Sequence, residues 1–373
     1  MRNLASCVTE AQGLFLMIAN ADEGHYVSLV IDIHTHLAGI GQGDTGCYIA
    51  PRKYKSLLYR VLRWKLGIAG AHNNGTLDKD YRERLEKDVI EASKNNALQA
   101  AVVFAHDRVH HHDGTAHDPE QELYVPNAYV FKCAEESKGR FLPAVSVHPY
   151  RPDALDETTK CIERGAVALK WLPNSQGMDP RDSRCAPIFR LLAEKKVPLI
   201  AHTGGEHTVR IRRRELGNPE VLRPALDAGV TVIMAHCGTK SGIFDQNWFP
   251  TFIKLAREYP NCYGDNSAFC TPGRSRWHAR ALREEGLTEK LVHGSDYPVP
   301  PNPWCSLFRL GWSRTRKLAR IWSFLECDVM TKRALGYPDD VFLRAAKLLP
   351  PKSLERWKVR RITASNEADS PRE

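Results

Sequence analysis

The 373-residue chain lacks any apolar stretch close to the roughly 18 residues that a membrane-spanning helix requires. Its ten cysteines include no Cys-x-x-Cys pair, and the chain has no internal repeat. We therefore expect neither a membrane span nor a disulfide scaffold, and buried thiols are typical of a reducing cytoplasm. The apolar stretch 13–19 is short and no clear cleavage site follows it, so residues 1–27 are interpreted as a poorly ordered extension.

A motif for nucleic-acid binding is also lacking, although the formal net charge is +9. Much of the excess lies in three basic stretches, at 210–214, 314–320 and 352–361. Such stretches usually form solvated helix faces, and nucleic-acid binding would require a basic groove with stacking aromatic residues. We expect a small-molecule substrate, no nucleic-acid or membrane partner, and we leave homo-oligomerisation open.

Eight short apolar segments alternate with segments whose apolar residues recur at helical spacing. This alternation predicts a parallel sheet covered by helices, and eight units predict a closed (β/α)8 TIM barrel. An open doubly wound sheet is the alternative, but no glycine-rich dinucleotide motif follows the first segment. The predicted strands are 29–36, 97–104, 141–147, 166–171, 197–201, 230–235, 262–264 and 291–294.

The predicted barrel spans residues 28–350 and carries a long insertion after its first strand. Residues 314–326 and 340–349 have the apolar spacing of final helices that pack on the barrel. Residues 351–373 form a polar C-terminal tail, which we expect to be disordered beyond about residue 363.

Polar residues with metal-binding chemistry stand at the ends of the predicted strands. His34 and His36 are two residues apart in the first strand, so their imidazoles point to one side and can converge on one metal ion. In a TIM barrel the carboxyl ends of the strands meet at the active site. The residues at these ends are His34, His36, Lys170, His202, His236 and Asp296.

Four short motifs together resemble the amidohydrolase superfamily: Ile-Asp-Ile-His-Thr-His, Ile-Ala-His-Thr, Met-Ala-His-Cys-Gly and His-Gly-Ser-Asp-Tyr-Pro. The resemblance covers about residues 30–349. It is strongest to the amidohydrolase-related branch, which includes enzymes similar to aminocarboxymuconate-semialdehyde decarboxylase. It implies a metal-dependent barrel enzyme.

The resemblance also implies roles for the residues at the strand ends. His34, His36 and His202 would be metal ligands, whereas His236 would either bind a second metal or polarise the substrate. Asp296 would ligate the metal and take a proton from water, since a carboxylate beside a divalent cation stays ionised. Lys170 matches a lysine that binuclear members carry in carboxylated form. We favour one divalent ion, zinc before manganese or iron, with an unmodified Lys170 that faces the substrate.

Four further residues are weaker candidates for substrate binding. His106 and Arg108 follow the second strand, although surface histidines are common in such loops. His148 follows the third strand, where a structural role is equally compatible with the sequence. Trp171 ends the fourth strand and would form an apolar wall unless it is a packed core residue.

We therefore predict a metal-dependent hydrolase that activates water to cleave an amide, ester or lactone bond. A non-oxidative decarboxylase of a carboxylated aromatic or muconate-like acid is the alternative on the same scaffold. A catalytically silent barrel that only binds a ligand is the alternative outside enzymes, and the intact ligand set argues against it.

Overall fold

The computed structural model describes residues 29–116 and 121–359. The predicted extension, residues 1–27, lies entirely outside the described residues, and so does the tail beyond residue 359. Among the described residues, no helix combines the length and the hydropathy that crossing a membrane would require.

The described part of the chain contains an eight-stranded parallel sheet and a separate two-stranded antiparallel sheet. The eight strands follow one another around the sheet in chain order, except that β2 and β4 form the small sheet. Backbone hydrogen bonds from Ile33 N to His293 O and from His36 N to Tyr297 O join the last strand to the first. The strands are β1 (Ile31–His36), β2 (Tyr48–Ile49), β3 (Ala100–Phe104), β4 (Leu123–Tyr124), β5 (Phe141–Val145), β6 (Ala168–Trp171), β7 (Leu199–His202), β8 (Val232–Ala235), β9 (Cys262–Asp265) and β10 (Leu291–Val292).

The barrel strands are buried on both faces because helices cover the outside and side chains fill the interior. Strand β3, for example, consists of two alanines, two valines and a phenylalanine, all of them buried. Such continuous apolar segments are typical of parallel barrel strands. All eight predicted strands are present in the predicted order, so the TIM-barrel prediction is confirmed.

The helices surround the barrel and fill the insertion after β1. They are α1 (Pro51–Tyr54), α2 (Leu57–Leu66), α3 (Leu77–Lys94), α4 (Asn127–Glu136), α5 (Ala154–Glu163), α6 (Pro173–Gln176), α7 (Cys185–Lys195), α8 (Arg223–Asp227), α9 (Phe249–Glu258), α10 (Trp277–Arg283), α11 (Leu307–Leu310), α12 (Trp312–Leu318), α13 (Phe324–Ala334), α14 (Asp339–Leu348) and α15 (Pro351–Arg356). Short 3-10 helices occupy Arg214–Gly217, Pro219–Leu222, His236–Gly238, Leu287–Lys290 and Pro303–Ser306.

The insertion after β1 is fastened to the barrel by two polar contacts. The carboxylate of Asp78 on α3 accepts hydrogen bonds from Ile40 N and Gly41 N at 2.8 and 3.0 Å. A side chain at Gly39 would bring its Cβ within 2.2 Å of the Asp78 carboxylate, so this close approach requires glycine. Tyr81 donates its hydroxyl to His36 O at 2.7 Å. Helix α3 therefore holds the backbone that follows the histidine pair.

The structure also shows an ordered helix in the region predicted as tail. Helix α15 packs against the barrel, and the following Trp357 is buried and donates its indole N–H to Gly165 O at 2.7 Å. Residues 351–359 are thus attached to the barrel.

The single helix predicted over 314–326 is wrong, because the chain forms α12 and α13 with a break between them. Ser323 stands in the break and its side chain accepts a hydrogen bond from Glu326 N at 3.2 Å, which caps α13. Its hydroxyl also donates to Asp88 O at 2.9 Å. Helical spacing alone did not reveal the break, because the apolar residues continue through it.

We expect Ser323→Ala to lower the free energy of unfolding by about 1–2 kcal/mol, because the buried hydroxyl both caps α13 and satisfies Asp88 O. Urea unfolding followed by circular dichroism measures this change. Ser313→Ala on the exposed face of α12 is the matched control and should change stability little. Equal effects of the two substitutions would contradict a capping role for Ser323.

Candidate metal centre

The two histidines of β1 converge at the carboxyl end of the barrel, as the sequence spacing predicted. His34 is buried and His36 is partly exposed, and their Nε2 atoms lie 3.2 Å apart. Asp296 follows the last strand and places its Oδ1 3.2 Å from His34 Nε2 and 3.3 Å from His36 Nε2. Three donor atoms from two adjacent strands therefore form a nearly equilateral triangle.

Asp296 reaches this position through an unusual backbone conformation. Its φ angle is 71°, in the left-handed region, and its N–H donates to His34 O at 2.9 Å. Burial alone would raise the pKa of the Asp296 carboxyl. Nearby His236 and hydrogen bonds with His34 and His36 outweigh burial and hold that pKa well below its usual range. Asp296 is therefore an anion in the site.

His34 is oriented by Asp265, which ends β9 and which the sequence analysis did not select. Its Nδ1 lies 2.7 Å from Asp265 Oδ2, the geometry of an imidazole N–H donating to a carboxylate. This bond fixes the tautomer and directs the Nε2 lone pair towards the triangle. Burial and Lys170 lower the pKa of His34, but Asp265 and Asp296 outweigh them and raise it, so the surroundings favour positive charge here.

His236 lies beside the triangle, immediately after β8. A ligand atom of His236 lies within 4.8 Å of ligand atoms of His34 and Asp296, which makes these three residues a candidate metal-binding group. Ser267 Oγ donates to Asp265 Oδ1 and lies 2.8 Å from His236 Nδ1. Since the serine proton is already committed, His236 Nδ1 is the donor and its Nε2 carries the lone pair.

His202 ends β7, and its Nε2 is a buried nitrogen without a hydrogen-bond partner. Its ring centroid lies 5.0 Å from that of His236. Burial is the main cause that lowers the pKa of His202 to about 4, so the imidazole is neutral and available as a ligand. An unpartnered buried nitrogen is costly in a protein interior unless a ligand satisfies it.

The donor set fits a divalent cation. Two ligands about 2.1 Å from a tetrahedral ion lie about 3.4 Å apart, which is close to the 3.2–3.3 Å sides of the triangle. Three lone-pair donors at these distances repel one another unless a proton or a metal cation lies between them. Neutral imidazoles with one carboxylate suit zinc, iron or manganese.

Lys170 ends β6 and is fully buried, with its amine lacking a hydrogen-bond partner. Its Nζ lies 4.4 Å from the centroid of the Phe104 ring, and the same ring contacts His34 and His36. Burial lowers the pKa of Lys170 to about 8. The amine therefore lies beside the aromatic ring that also contacts the histidine pair.

Two charged residues that the sequence analysis missed, the largely buried Glu206 and the buried Arg274, lie around His202. Glu206 Oε2 is 3.6 Å from His202 Nδ1. Arg274 is buried and donates from Nη2 to Gly205 O at 2.6 Å and from Nε to Thr239 Oγ1 at 3.2 Å. Burial lowers the pKa of Arg274, although the carboxylates of Asp296 and Glu206 act to raise it. Both residues come from strand-end loops, where no sequence motif marks them.

The four weaker candidates contact residues outside the triangle. His106 is buried, with Nδ1 3.0 Å from Asp107 O. Arg108 lies over the ring of Tyr124 at 4.6 Å. His148 uses both ring nitrogens on loop backbone, with Nε2 3.2 Å from Gln176 O and Nδ1 accepting from Tyr150 N at 3.2 Å. The two backbone contacts of His148 give it a structural role, because its ring joins two loops.

Trp171 points away from the barrel interior. Its indole N–H donates to Val147 O at 2.8 Å and its ring packs against Phe189 of α7. Neighbouring residues on a strand point to opposite faces, so Lys170 faces the interior and Trp171 faces the helix layer. The structure thus gives Trp171 the packing role that was the alternative to an apolar pocket wall.

Comparisons with solved structures show the fold. An uncharacterised TIM-barrel protein from Bordetella bronchiseptica is 17% identical, with a TM-score of 0.55, and the match covers 88% of this chain and 98% of that one. A provisionally named 2-pyrone-4,6-dicarboxylic acid hydrolase from Pseudomonas putida is 15% identical, covers 90% and 100%, and has a TM-score of 0.49. A 5-carboxyvanillate decarboxylase from Novosphingobium aromaticivorans, solved with manganese, is 11% identical, covers 85% and 97%, and has a TM-score of 0.42.

No curated protein matches the chain by sequence. A protein-family model described as amidohydrolase, however, matches residues 31–314, which include every strand of the barrel and every member of the candidate metal centre. The chain therefore belongs to the amidohydrolase family.

Proposed function

We propose that this chain is a metal-dependent hydrolase that cleaves an amide, ester or lactone bond of a small anionic molecule. The observation that carries the proposal is the triangle of His34, His36 and Asp296 donor atoms with sides of 3.2–3.3 Å. The unpartnered Nε2 of His202 supports it, because a buried nitrogen without a partner is expected at a ligand position.

His34, His36, His202 and Asp296 would hold one divalent cation, with zinc favoured and manganese or iron as alternatives. When bound, such an ion polarises a carbonyl oxygen and lowers the pKa of a coordinated water towards about 7. Asp265 would keep the His34 ring in its ligating tautomer through the 2.7 Å bond. His236 would polarise the substrate carbonyl or act as a further ligand, and its Nε2 lone pair is available for the second role.

Asp296 would accept the proton of the attacking water and later deliver it to the leaving group. Its depressed pKa keeps it anionic, and its Oδ1 already lies beside two imidazole nitrogens. A carboxylate in this position can both ligate and move a proton, which general acid–base catalysis requires.

Two buried cations support an anionic substrate. Lys170 has no hydrogen-bond partner for its amine, and Arg274 is a buried guanidinium near Glu206 and Asp296. Burying a cation without a hydrogen-bonded counter-ion is costly, so an anionic group of the substrate would stabilise both. A carboxylate is the substrate group that fits these two residues best.

The same two cations also suit a carboxy-lyase. A decarboxylase would bind the departing carboxylate with Lys170 or Arg274 and would release CO₂ without consuming water. This reaction is the alternative function.

The two reactions can be separated by one screen on the purified full-length chain. The metal content is measured first, and lactones, amides, esters and carboxylated aromatic acids are then tested with the loaded protein. Hydrolysis of a carboxylated lactone, amide or ester without CO₂ release supports the proposal. CO₂ release with no water incorporated supports the lyase. A metal-loaded chain that turns over none of these compounds would favour a barrel that only binds ligands.

We expect Lys170→Met to retain the metal but to raise KM about 10- to 100-fold for a carboxylated substrate, because the buried amine no longer pairs with the carboxylate. An uncharged ester of the same substrate is the control, and its kinetics should change little. Loss of metal in this variant, or two ions per wild-type chain, would instead indicate a carboxylated lysine that bridges two metals.

We also propose a reducing cytoplasm as the location. The nine cysteines that the structure describes are all free, and all but Cys305 are buried. Burial raises the pKa of most of these thiols, to about 12 for Cys47 and Cys133, so they are chemically quiet packing residues.

A further inference from the structure

Two segments of the chain contain many cations and no acidic residue. Residues 45–77, in the insertion after β1, include six lysine or arginine residues and no aspartate or glutamate. Residues 297–325, after β10, include five and again no acid. Their eleven positive charges exceed the net charge of +9 of the whole chain. The basic residues are Arg52, Lys53, Lys55, Arg60, Arg63, Lys65, Arg309, Arg314, Arg316, Lys317 and Arg320.

The same two segments carry most of the exposed apolar surface. Thirteen large hydrophobic side chains are exposed among the described residues, and nine of them lie in these segments. Phe308 is fully exposed, and Trp64 and Trp312 are about two-thirds exposed. The nine residues are Tyr48, Leu57, Leu58, Val61, Trp64, Trp304, Phe308, Trp312 and Trp322. Exposed apolar side chains concentrated in this way are typical of an interaction surface.

The two segments meet at one edge of the barrel. They follow β1 and β10, which are neighbours around the barrel. Arg84 of α3 joins their ends, because its guanidinium donates to Leu66 O at 2.8 Å and to Trp322 O at 3.4 Å. The same guanidinium lies 3.8 Å from the ring centroid of Trp322. Together the basic and exposed apolar residues of both segments form one region, here called the basic apolar surface.

The charges of this surface are mostly not neutralised within the chain. Among the described residues, the recorded ion pairs join only Arg52 and Lys53 of the set to a carboxylate, and Glu122 is the partner of both. Nine of the eleven cationic side chains are exposed, and the other two, Lys53 and Arg63, are partly buried. The nine exposed side chains can reach an anionic surface without any change in the fold.

The chemistry of this surface distinguishes between three kinds of partner. A second copy of the chain in a symmetric contact would place like charges opposite one another, which is unfavourable. A nucleic acid would use the cations and could stack on the tryptophans, but it would leave Leu57, Leu58 and Val61 in water, because these side chains offer no planar group for base stacking. An anionic lipid bilayer satisfies both properties, because tryptophan and leucine enter the interface while lysine and arginine contact the headgroups.

We infer that the basic apolar surface docks the protein on an anionic lipid bilayer as a peripheral membrane protein. Helix α2 presents Leu57, Leu58, Val61 and Trp64 to the interface at positions that recur on one helix face. The α11–α12 region presents Trp304, Phe308 and Trp312 beside its arginines. The sequence analysis predicted no membrane partner because the chain lacks a spanning segment. Binding to the surface of a bilayer does not require such a segment.

Co-flotation of the full-length chain with vesicles tests this inference. One set of vesicles is pure phosphatidylcholine, and the other contains roughly one third phosphatidylserine. We expect binding to the anionic vesicles alone, weakening at high salt because exposed charges are screened. Arg314→Gln/Arg316→Gln/Lys317→Gln should lower the partition coefficient about 100-fold, since each basic residue near an anionic surface contributes about fivefold.

Two further variants separate the apolar contribution from simple charge. Phe308→Ser/Trp312→Ser keeps every charge and should still lose most binding, and circular dichroism should show an unchanged fold. Lys132→Gln/Lys160→Gln/Lys254→Gln removes the same number of charges from exposed positions on α4, α5 and α9 and should bind like the wild type.

Three results would overturn the inference. One is a lack of binding to the anionic vesicles at low salt. Another is retention of an oligonucleotide, but not of vesicles, by the same surface. The third is a dimer in solution that dissociates in Phe308→Ser/Trp312→Ser, which would make a second copy the partner.

Discussion

Asp296→Asn is expected to lower kcat by about 10²- to 10⁴-fold, because the amide cannot accept the proton of the attacking water. Asparagine keeps an oxygen at the Oδ1 position, so the shape of the site and the hydrogen bond from Asp296 N to His34 O should persist. The effect should therefore fall on the chemical step, with a smaller change in metal affinity. Steady-state kinetics at saturating metal on the substrate found by the screen measures this change.

Asp339→Asn is the matched control, because Asp339 is an exposed aspartate at the start of α14. It should leave kcat unchanged, while Asp296→Asn should keep the wild-type circular dichroism spectrum. Wild-type activity in a metal-loaded Asp296→Asn protein would rule out the proton-transfer role, even if Asp296 remained a ligand.

The barrel was predictable from the sequence because its strands have a strong and simple signal. Parallel barrel strands are buried on both sides, so each appears as a short apolar segment bounded by polar residues. Strand β3 and strand β8 are clear examples. The order of such segments then determines the topology, since consecutive parallel strands joined by helices lie side by side.

The convergence of the strand-end residues was predictable for the same reason. Once the carboxyl ends of the strands share one face, His34, His36 and Asp296 must approach one another, and the structure places their donor atoms 3.2–3.3 Å apart. The unsatisfied Nε2 of His202 was not predictable, because it depends on every neighbour of the ring.

Residues outside the strands were harder to predict, because their roles depend on loop paths. Arg274 and Glu206 reach the site from strand-end loops, where sequence spacing carries no directional information. Asp265 did carry a signal, since it ends β9 in the same row as the selected residues. The predicted strand 262–264 ends one residue before Asp265, so this carboxylate was not counted among the strand-end residues.

The break between α12 and α13 shows the limit of apolar spacing in a different way. Apolar residues recur through the break, at Leu318, Ile321, Trp322 and Phe324, so the spacing predicts one helix. The chain ends one helix and starts another because Ser323 caps α13 and bonds to Asp88 of a distant helix. A tertiary contact of this kind overrides local preference.

His202→Ala is expected to weaken metal binding by more than the roughly 10- to 100-fold that the loss of an outer hydrogen-bond partner causes, because a ligand itself is removed. The purified protein should contain little metal after dialysis against a weak chelator, and added metal should no longer raise the melting temperature.

Asp265→Asn is expected to have a smaller effect on metal binding. It leaves every ligand in place but removes the charge that orients His34, so it should weaken binding only about 10- to 100-fold. His207→Ala is the matched control, since His207 is an exposed histidine paired with Asp245 and should bind metal like the wild type. Full metal occupancy in His202→Ala would remove this residue from the ligand set and would leave the cation to His34, His36, His236 and Asp296.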